Sequence, residues 1–161
     1  MPHIKSLTSL RATAAALVIA ASGPTHAQLG ATVAINVAGT SNPADANAPA
    51  LHQAANSAAR WEESTDANQI RVRQYVSSSG QVYAVSWDGP AMPDVALLLG
   101  TSFDRYRQEA SSALPNASGL HSSRVSSSDL MVETAVRLRD FSGRAWLPSA
   151  LPAGVTAADI E

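Results

Sequence analysis

The sequence predicts an α+β fold: a small antiparallel β-sheet with one helical segment packed on it, in the order β-β-α-β-β. Three observations carry this. Residues 70–76 and 82–87 alternate apolar and polar side chains on either side of Ser77-Ser78-Ser79-Gly80, as the two arms of a hairpin do. Residues 93–113 then carry helix start and stop signals, and Leu130, Val132, Val136 and Leu138 resume the strand period. Segregated strands and helix of this kind pack as a helix on a sheet.

Ahead of the sheet, residues 1–27 have the build of a cleavable secretory signal peptide. Lys5 and Arg11 give a positive start, Ala12 to Ala21 a short apolar run, and Gly23-Pro24 a break before Thr25-His26-Ala27, whose small residues suit cleavage near Ala27-Gln28. An apolar run of about ten residues is half of the roughly 20 that span a bilayer. No twin-arginine pair is present, so the general secretory route is expected. The product is expected in the periplasm or outside the cell, with no transmembrane segment after cleavage.

The mature chain is one domain in size. Removing 27 of the 161 residues leaves 134, enough to bury a core without metal or disulfide staples. The chain has no cysteine, which excludes thiol catalysis, thiolate zinc sites and a lipid anchor on an N-terminal cysteine. Beyond Ala27 every basic residue is arginine, nine against thirteen acids, a net charge of −4. A nucleic-acid partner needs a basic excess instead, so none is expected.

Residues 28–69 are rich in Ala, Asn, Ser and Pro, with Pro43 and Pro49 as breakers, and read as a linker or weakly ordered arm. A short strand over residues 32–37 and a helix from Ala50 to Glu63 are the elements it offers, the helix resting on Ala, Leu, Gln and Glu content. The α+β domain is assigned to residues 70–155 and a tail to 156–161. In the hairpin, a loop on Ser78-Ser79 pairs Ile70 with Trp87, Val72 with Val85 and Gln74 with Tyr83, placing these six on a core face. Arg71, Arg73 and Tyr75 share the opposite face with Val82, Ala84 and Ser86. Asp88-Gly89-Pro90 is a turn, and a helix starts at Pro93-Asp94, with Val95, Leu98 and Leu99 as its buried stripe. Gly100 stops it, and Thr101 to Asp104 resembles a capping box for a second segment to about Ala113, with Phe103, Tyr106 and Ala110 on its apolar side. Arg105 and Glu109 sit four apart on its wet side. Residues 115–128, dominated by Ser, Asn and Gly, are expected to be loop. Phe141-Ser142-Gly143 is the expected turn before a last strand from Arg144 to Leu147, after which Pro148 and Pro152 end the ladder and leave an extended tail.

Two stretches carry a family resemblance. One runs from Tyr75-Val76 through Gly80-Gln81-Val82-Tyr83-Ala84-Val85-Ser86-Trp87-Asp88-Gly89-Pro90 to Pro93-Asp94 and Leu98-Leu99-Gly100. The other is Phe141-Ser142-Gly143-Arg144-Ala145-Trp146-Leu147-Pro148 with Leu151-Pro152-Ala153-Gly154-Val155 behind it. With these, over about the C-terminal two-thirds of the mature chain, it resembles the bacterial exported family catalogued as domain of unknown function 2844. The resemblance implies export and domain limits, and no activity, substrate or catalytic residue.

Candidate sites are few. Trp87 and Trp146 stand beside turns, where they would form either an aromatic platform or, as the hairpin register favours for Trp87, core. Arg71 and Arg73 share one strand face and Arg137 and Arg139 another, so neighbouring strands would put four guanidinium groups on one side, beside Tyr75. That is the candidate interaction surface, against the plainer alternative of a solvated face neutralised by Asp88, Glu133 and Asp140. His121, Ser122, Ser123 and Asp129 contain the residue types of a hydrolase triad, but no G-x-S-x-G elbow positions a nucleophile. Among Asp88, Asp94, Asp104 and Glu109, two are already claimed by helix starts. Metal-ligand spacings and phosphate-cradling glycine loops are absent, so no cofactor and no metal are expected. Three classes stay open: a non-catalytic binding or assembly module with an envelope protein or a glycan as partner, a hydrolase-like enzyme whose site the sequence hides, and a structural component of an envelope or secretion complex.

Overall fold

The computed structural model describes residues 28–33, 51–54, 58–112 and 121–161, so the expected signal peptide lies outside the described residues, as do residues 34–37 of the expected first strand. Among the described residues there are seven strands: β1 (Leu51–Gln53), β2 (Arg60–Thr65), β3 (Arg71–Val76), β4 (Val82–Gly89), β5 (Ser122–Ser126), β6 (Met131–Arg137) and β7 (Asp140–Trp146). They form one antiparallel sheet in the order β1-β2-β3-β4-β7-β6-β5. Two meanders, β1 to β4 and β5 to β7, are joined where β4 pairs with β7. Between them lie α1 (Val95–Leu99), a 3₁₀ turn and α2 (Phe103–Ser112).

The expected sheet with a helical segment on it is therefore present, but its order is not β-β-α-β-β. Four strands precede the helices and three follow them. Instead of a helix from Ala50 to Glu63, residues 51–53 and 60–65 are strands of the sheet. There Trp61 pairs with Tyr75 and Glu62 with Gln74, and ladder hydrogen bonds outweigh a helix propensity worth only tenths of a kcal/mol per residue. The expected loop over residues 115–128 contains β5, which pairs with β6 through Ser122 to Ser126. Its single apolar residue, Val125, is buried. The β6–β7 turn falls at Leu138-Arg139 rather than at Phe141-Ser142-Gly143, which belong to β7.

The β3–β4 register also differs, by two residues. Val72 faces Trp87 and Gln74 faces Val85. A shift of two keeps every side chain on its face, so the core face expected from Ile70, Val72, Val85 and Trp87 holds. Tyr83 and Val82 trade faces, because Tyr83 is the extra residue of a bulge between Tyr75 and Val76 and so joins Tyr75 and Ala84 on the other side.

Each face has its own core. On the first, Val72, Val85, Trp87, Val132 and Ala145 pack beneath Leu98 and Leu99. Asp94 caps α1, its side chain accepting from the Leu97 N–H at 3.0 Å, and Gly100, at φ 52°, ends it, as its start and stop signals require. In α2 Phe103 and Tyr106 pack against this core while Ala110 is exposed. Arg105 pairs with Asp129, not with Glu109. Leu29, 1 % exposed, is held by its N–H to the Leu98 carbonyl at 2.8 Å. On the second face Tyr75, Tyr83, Ala84 and Trp146 pack under the C-terminal segment. That segment is no extended tail. It forms 3₁₀ turns at Pro148–Ala150 and Ala157–Asp159, the latter closed by a Thr156–Asp159 capping box, and buries Ile160 completely.

The seam between the meanders is the tightest place in the sheet. Gly143 lies opposite Trp87, and a Cβ there would fall 2.3 Å from the Trp87 Cζ2 and 2.8 Å from the Glu133 carbonyl oxygen. Glycine is thus required for the indole to lie flat across β7. Trp87→Ala is expected to destabilise by about 3–5 kcal/mol, and Gly143→Ala by about 1–3 kcal/mol, the cost of overpacking. In urea titrations the Gly143→Ala penalty should shrink in the Trp87→Ala background; equal penalties would place the strain elsewhere.

Tyr83 yields a second prediction. Its hydroxyl is buried with no partner among the described residues, and burial, aided by Tyr75 and Asp159, pushes its pKa up to about 12. The unfolded chain ionises near pH 10, so stability from this group is intact below about pH 10 and is lost as pH rises towards about 12. Tyr83→Phe should be neutral or stabilising at neutral pH and should flatten that alkaline loss in denaturant midpoints taken across the window.

Candidate binding cleft on the charged face of the sheet

The second face is ordered in cross-strand rows. One is polar with small side chains: Arg71, Asp88, Ser142, Ala135 and Ser122 on β3, β4, β7, β6 and β5. The next is charged: Glu63, Arg73, Ser86, Arg144, Glu133 and Arg124 from β2 to β5. A third is aromatic at one end, where His52 stacks on Trp61 at 5.7 Å and Trp61 and Tyr75 follow at 5.9 Å. This order follows from the two-residue period of strands, which brings side chains of like position into register across the sheet.

Arg144 organises the middle of this face. Its Nε and Nη2 donate to one oxygen of Glu133, both at 2.8 Å. Its Nη1 donates to the carbonyls of Ala157 and Ile160 at 2.8 and 2.9 Å, and its guanidinium lies 5.3 Å from the ring centre of Trp146. One side chain thus ties β7 to β6 and pins the C-terminal segment on the sheet. Nearby, Tyr75 Oη both donates to the Glu161 carbonyl and accepts from the Glu161 N–H, each at 2.8 Å. Ser86 Oγ and Arg73 Nη1 donate to the same carbonyl.

Beside that clamp the sheet is concave. A cleft of about 520 Å³ has Ser142, Gly143 and Ala135 along its floor, Arg124 and Glu133 on its rim, and Asp88 at its β4 end. The floor is low because its side chains are small. Asp88 is gripped by Arg71 in a two-pronged pair at 3.0 and 2.8 Å, which raises the Arg71 pKa. Arg73 is paired with Glu63 at 2.8 Å and its pKa is raised likewise. Glu133 serves two arginines, with Arg124 Nε at 3.3 Å from its second oxygen.

The residues singled out from the sequence are divided by this geometry. Arg71, Arg73 and Arg137 do lie on this one face, Arg137 two positions beyond Ala135 on β6. They do not form a neighbouring set of four, because β4 and β7 separate β3 from β6. Arg139 stands in the β6–β7 turn. Tyr75 is 2 % exposed beneath the C-terminal segment and offers no surface. Trp87 and Trp146 are core, at 2 and 5 %, and form no platform. His121 and Asp129 flank opposite ends of β5, roughly 17 Å apart at about 3.3 Å per residue, too far for a triad with Ser122 or Ser123. Arg124, Arg144, Ser142 and Ala135 were not singled out, and Ser122 was named only as a triad hydroxyl, not as part of a cleft floor. Placing the β6–β7 turn at Leu138-Arg139 would have set Arg144 opposite Glu133.

Among the comparisons with known proteins, a family model described as "Protein of unknown function (DUF2844)" matches residues 25–160. No curated protein and no solved structure matches the chain.

The clamp and the exposed pair differ in energetic weight. Arg71 and Asp88 are nearly half exposed, at 45 and 44 %, so Arg71→Ser is expected to cost under about 1 kcal/mol. Arg144→Ala leaves Glu133 with only its longer Arg124 contact and two carbonyls without their donor, and is expected to cost about 2–4 kcal/mol. It should also open residues 148–161 to limited proteolysis. Equal midpoints for the two variants would remove Arg144 from its role.

Proposed function

We propose that this chain, which belongs to the DUF2844 family of proteins of unknown function, is a non-catalytic binding or assembly module exported to the bacterial envelope, with its binding site in the cleft over β4, β7, β6 and β5. The observation that carries the reading is that cleft, a concavity of about 520 Å³ in the size range of ligand sites. Its polar groups are held in place before any ligand arrives: Asp88 by Arg71, Glu133 by Arg144, and Arg144 by the chain's own carbonyls. Prefixed groups lose little freedom on binding, which favours recognition. Of the carboxylates at the cleft, Asp88 and Glu133 are each engaged by arginine, an arrangement suited to orienting a ligand and, for these two, poorly suited to general acid catalysis. The export assignment rests on the positive start, apolar run and small-residue cleavage site of residues 1–27.

The test fills the cleft. Ala135 stands in its floor, and Ala135→Phe should close it while suiting a strand. Tagged wild-type and variant domains are used to capture from the native envelope fraction at mild salt. A component retained by the wild type and missing from the equally stable variant is the expected result. Identical eluates would contradict the assignment of the cleft.

A further inference from the structure

We infer that the outer edge of β5 takes an extended peptide as one more strand of the sheet, antiparallel to β5 and beneath α2, at a site separate from the cleft. Strand β5 has β6 on one side and ends the sheet on the other. The Val136 N–H donates to the His121 carbonyl at 2.8 Å and the Ser127 N–H to the Leu130 carbonyl at 2.9 Å, so by the antiparallel alternation Ser123 and Val125 are the residues of β5 that bond to β6. The N–H and C=O groups of Ser122, Arg124 and Ser126 therefore point outward, and they have no hydrogen-bond partner among the described residues. Proteins blunt such an edge with proline, a bulge, a very short strand or an outstanding charge. Strand β5 runs five residues in unbroken register without proline, and its one charge, Arg124, is drawn back over β6 to Glu133 at 3.3 Å.

A helix roofs this edge on the first face. α2 lies against β5, and Arg105 near its start pairs with Asp129 beyond the end of β5, so the two run alongside in opposite directions. For a helix on a core it is poorly covered. None of its ten residues is buried; Phe103 and Tyr106 are half-buried, and Ala110, one turn further on the same side, is exposed. The apolar stripe of a helix ordinarily lies on a partner surface, yet Val125 is the single apolar side chain that β5 supplies there. A strand added beside β5 continues the sheet under that stripe.

The two faces define the occupant. Peptide residues opposite Ser123 and Val125 share the face of Val125 and meet α2, so they are apolar and β-branched. Those opposite Ser122, Arg124 and Ser126 stand on the charged face and are polar. Net charge selects nothing, because Arg71, Arg124 and Arg144 are matched in number by Asp88, Glu133 and Glu161. Recognition is through the main chain and one apolar row, as in strand addition generally. A second copy of the protein does not fit. Paired through β5, two copies would set their α2 helices about 5 Å apart, one strand spacing, where packed helices need about 8–10 Å. A single peptide strand fits under one helix.

Titration of the protein with the peptide acetyl-Thr-Val-Thr-Val-Thr-amide, followed by amide NMR and hydrogen exchange, is the test. The expected result is saturable binding that slows exchange of the Ser122, Arg124 and Ser126 amides. Methylating the threonine nitrogens, which face β5 in this register, should abolish binding, whereas methylating the valine nitrogens should leave it. Replacing both valines with serine should weaken it about tenfold or more, the loss of two buried aliphatic side chains. Ser126→Pro removes an outward N–H and no bond to β6, so it should keep the melting temperature and weaken binding about fivefold or more. No saturable binding, equal loss from both methylation patterns, or slowed exchange confined to other amides each overturns the inference, and none of these readings needs a variant protein to fold. Loss of peptide binding in Ala135→Phe with Ser126→Pro unaffected also overturns it, because the peptide would then lie in the cleft.

Discussion

The pairing of β4 with β7, sealed by Trp87 lying over Gly143, is the constraint on which the rest of this structure depends. The chain makes two separate antiparallel meanders with the helical segment between them, and this pairing is their direct ladder contact. It brings Val85 opposite Ala145 and Val132 beside both, so that one apolar surface is wide enough for Leu98 and Leu99 to cover. The four-stranded or the three-stranded meander alone would present only part of that surface. Large aromatic on one strand and no side chain on the next is the compensation that lets the two meanders close at full contact.

The same seam fixes the character of the opposite face. Because β4, β7, β6 and β5 are in register there, their polar residues fall into rows, and opposite charges meet across strands instead of along them. Arg144 is the pivot: it stands on β7, one residue from Gly143, and reaches both Glu133 on β6 and the carbonyls of the C-terminal segment. Covering one part of this face with that segment and leaving the adjoining part open over small side chains is what creates the cleft. The binding role proposed for the cleft thus depends on the seam twice, once for the floor and once for the fixed polar groups.

Much of this was legible in the sequence where a side chain's role is local. Alternation in residues 70–76 and 84–87 gave the right faces even though the register was two residues off, because faces repeat every two, while the bulge at Tyr83 exchanged the faces of Val82 and Tyr83. Asp94 and Gly100 marked the ends of α1 through capping chemistry that needs no tertiary partner. What was hidden depends on distant contacts. The arm residues that become β2 have helix-forming composition and are strand because β3 is there to pair with. Strand β5 has one apolar residue to show, and the β6–β7 turn lacks glycine or asparagine, with Leu138 taking φ 55° itself. Tyr75 looked like surface because its cover, the segment ending at Ile160 and Glu161, is more than eighty residues away. Arg124 and Arg144 could be recognised as a pair on Glu133 only after that turn and β5 were in place.

Native-state hydrogen exchange on the protein tests the central claim that β4·β7 pairing makes one cooperative unit of the two meanders. The account predicts that amides of the ladder between Val85 and Ala145 exchange only through global unfolding, and that β6 and β3 amides share that limiting free energy. Exchange of β5, β6 and β7 through a separate, lower-energy opening while β3 and β4 stay protected would contradict it, because the seam would then be a docking contact between two independent units.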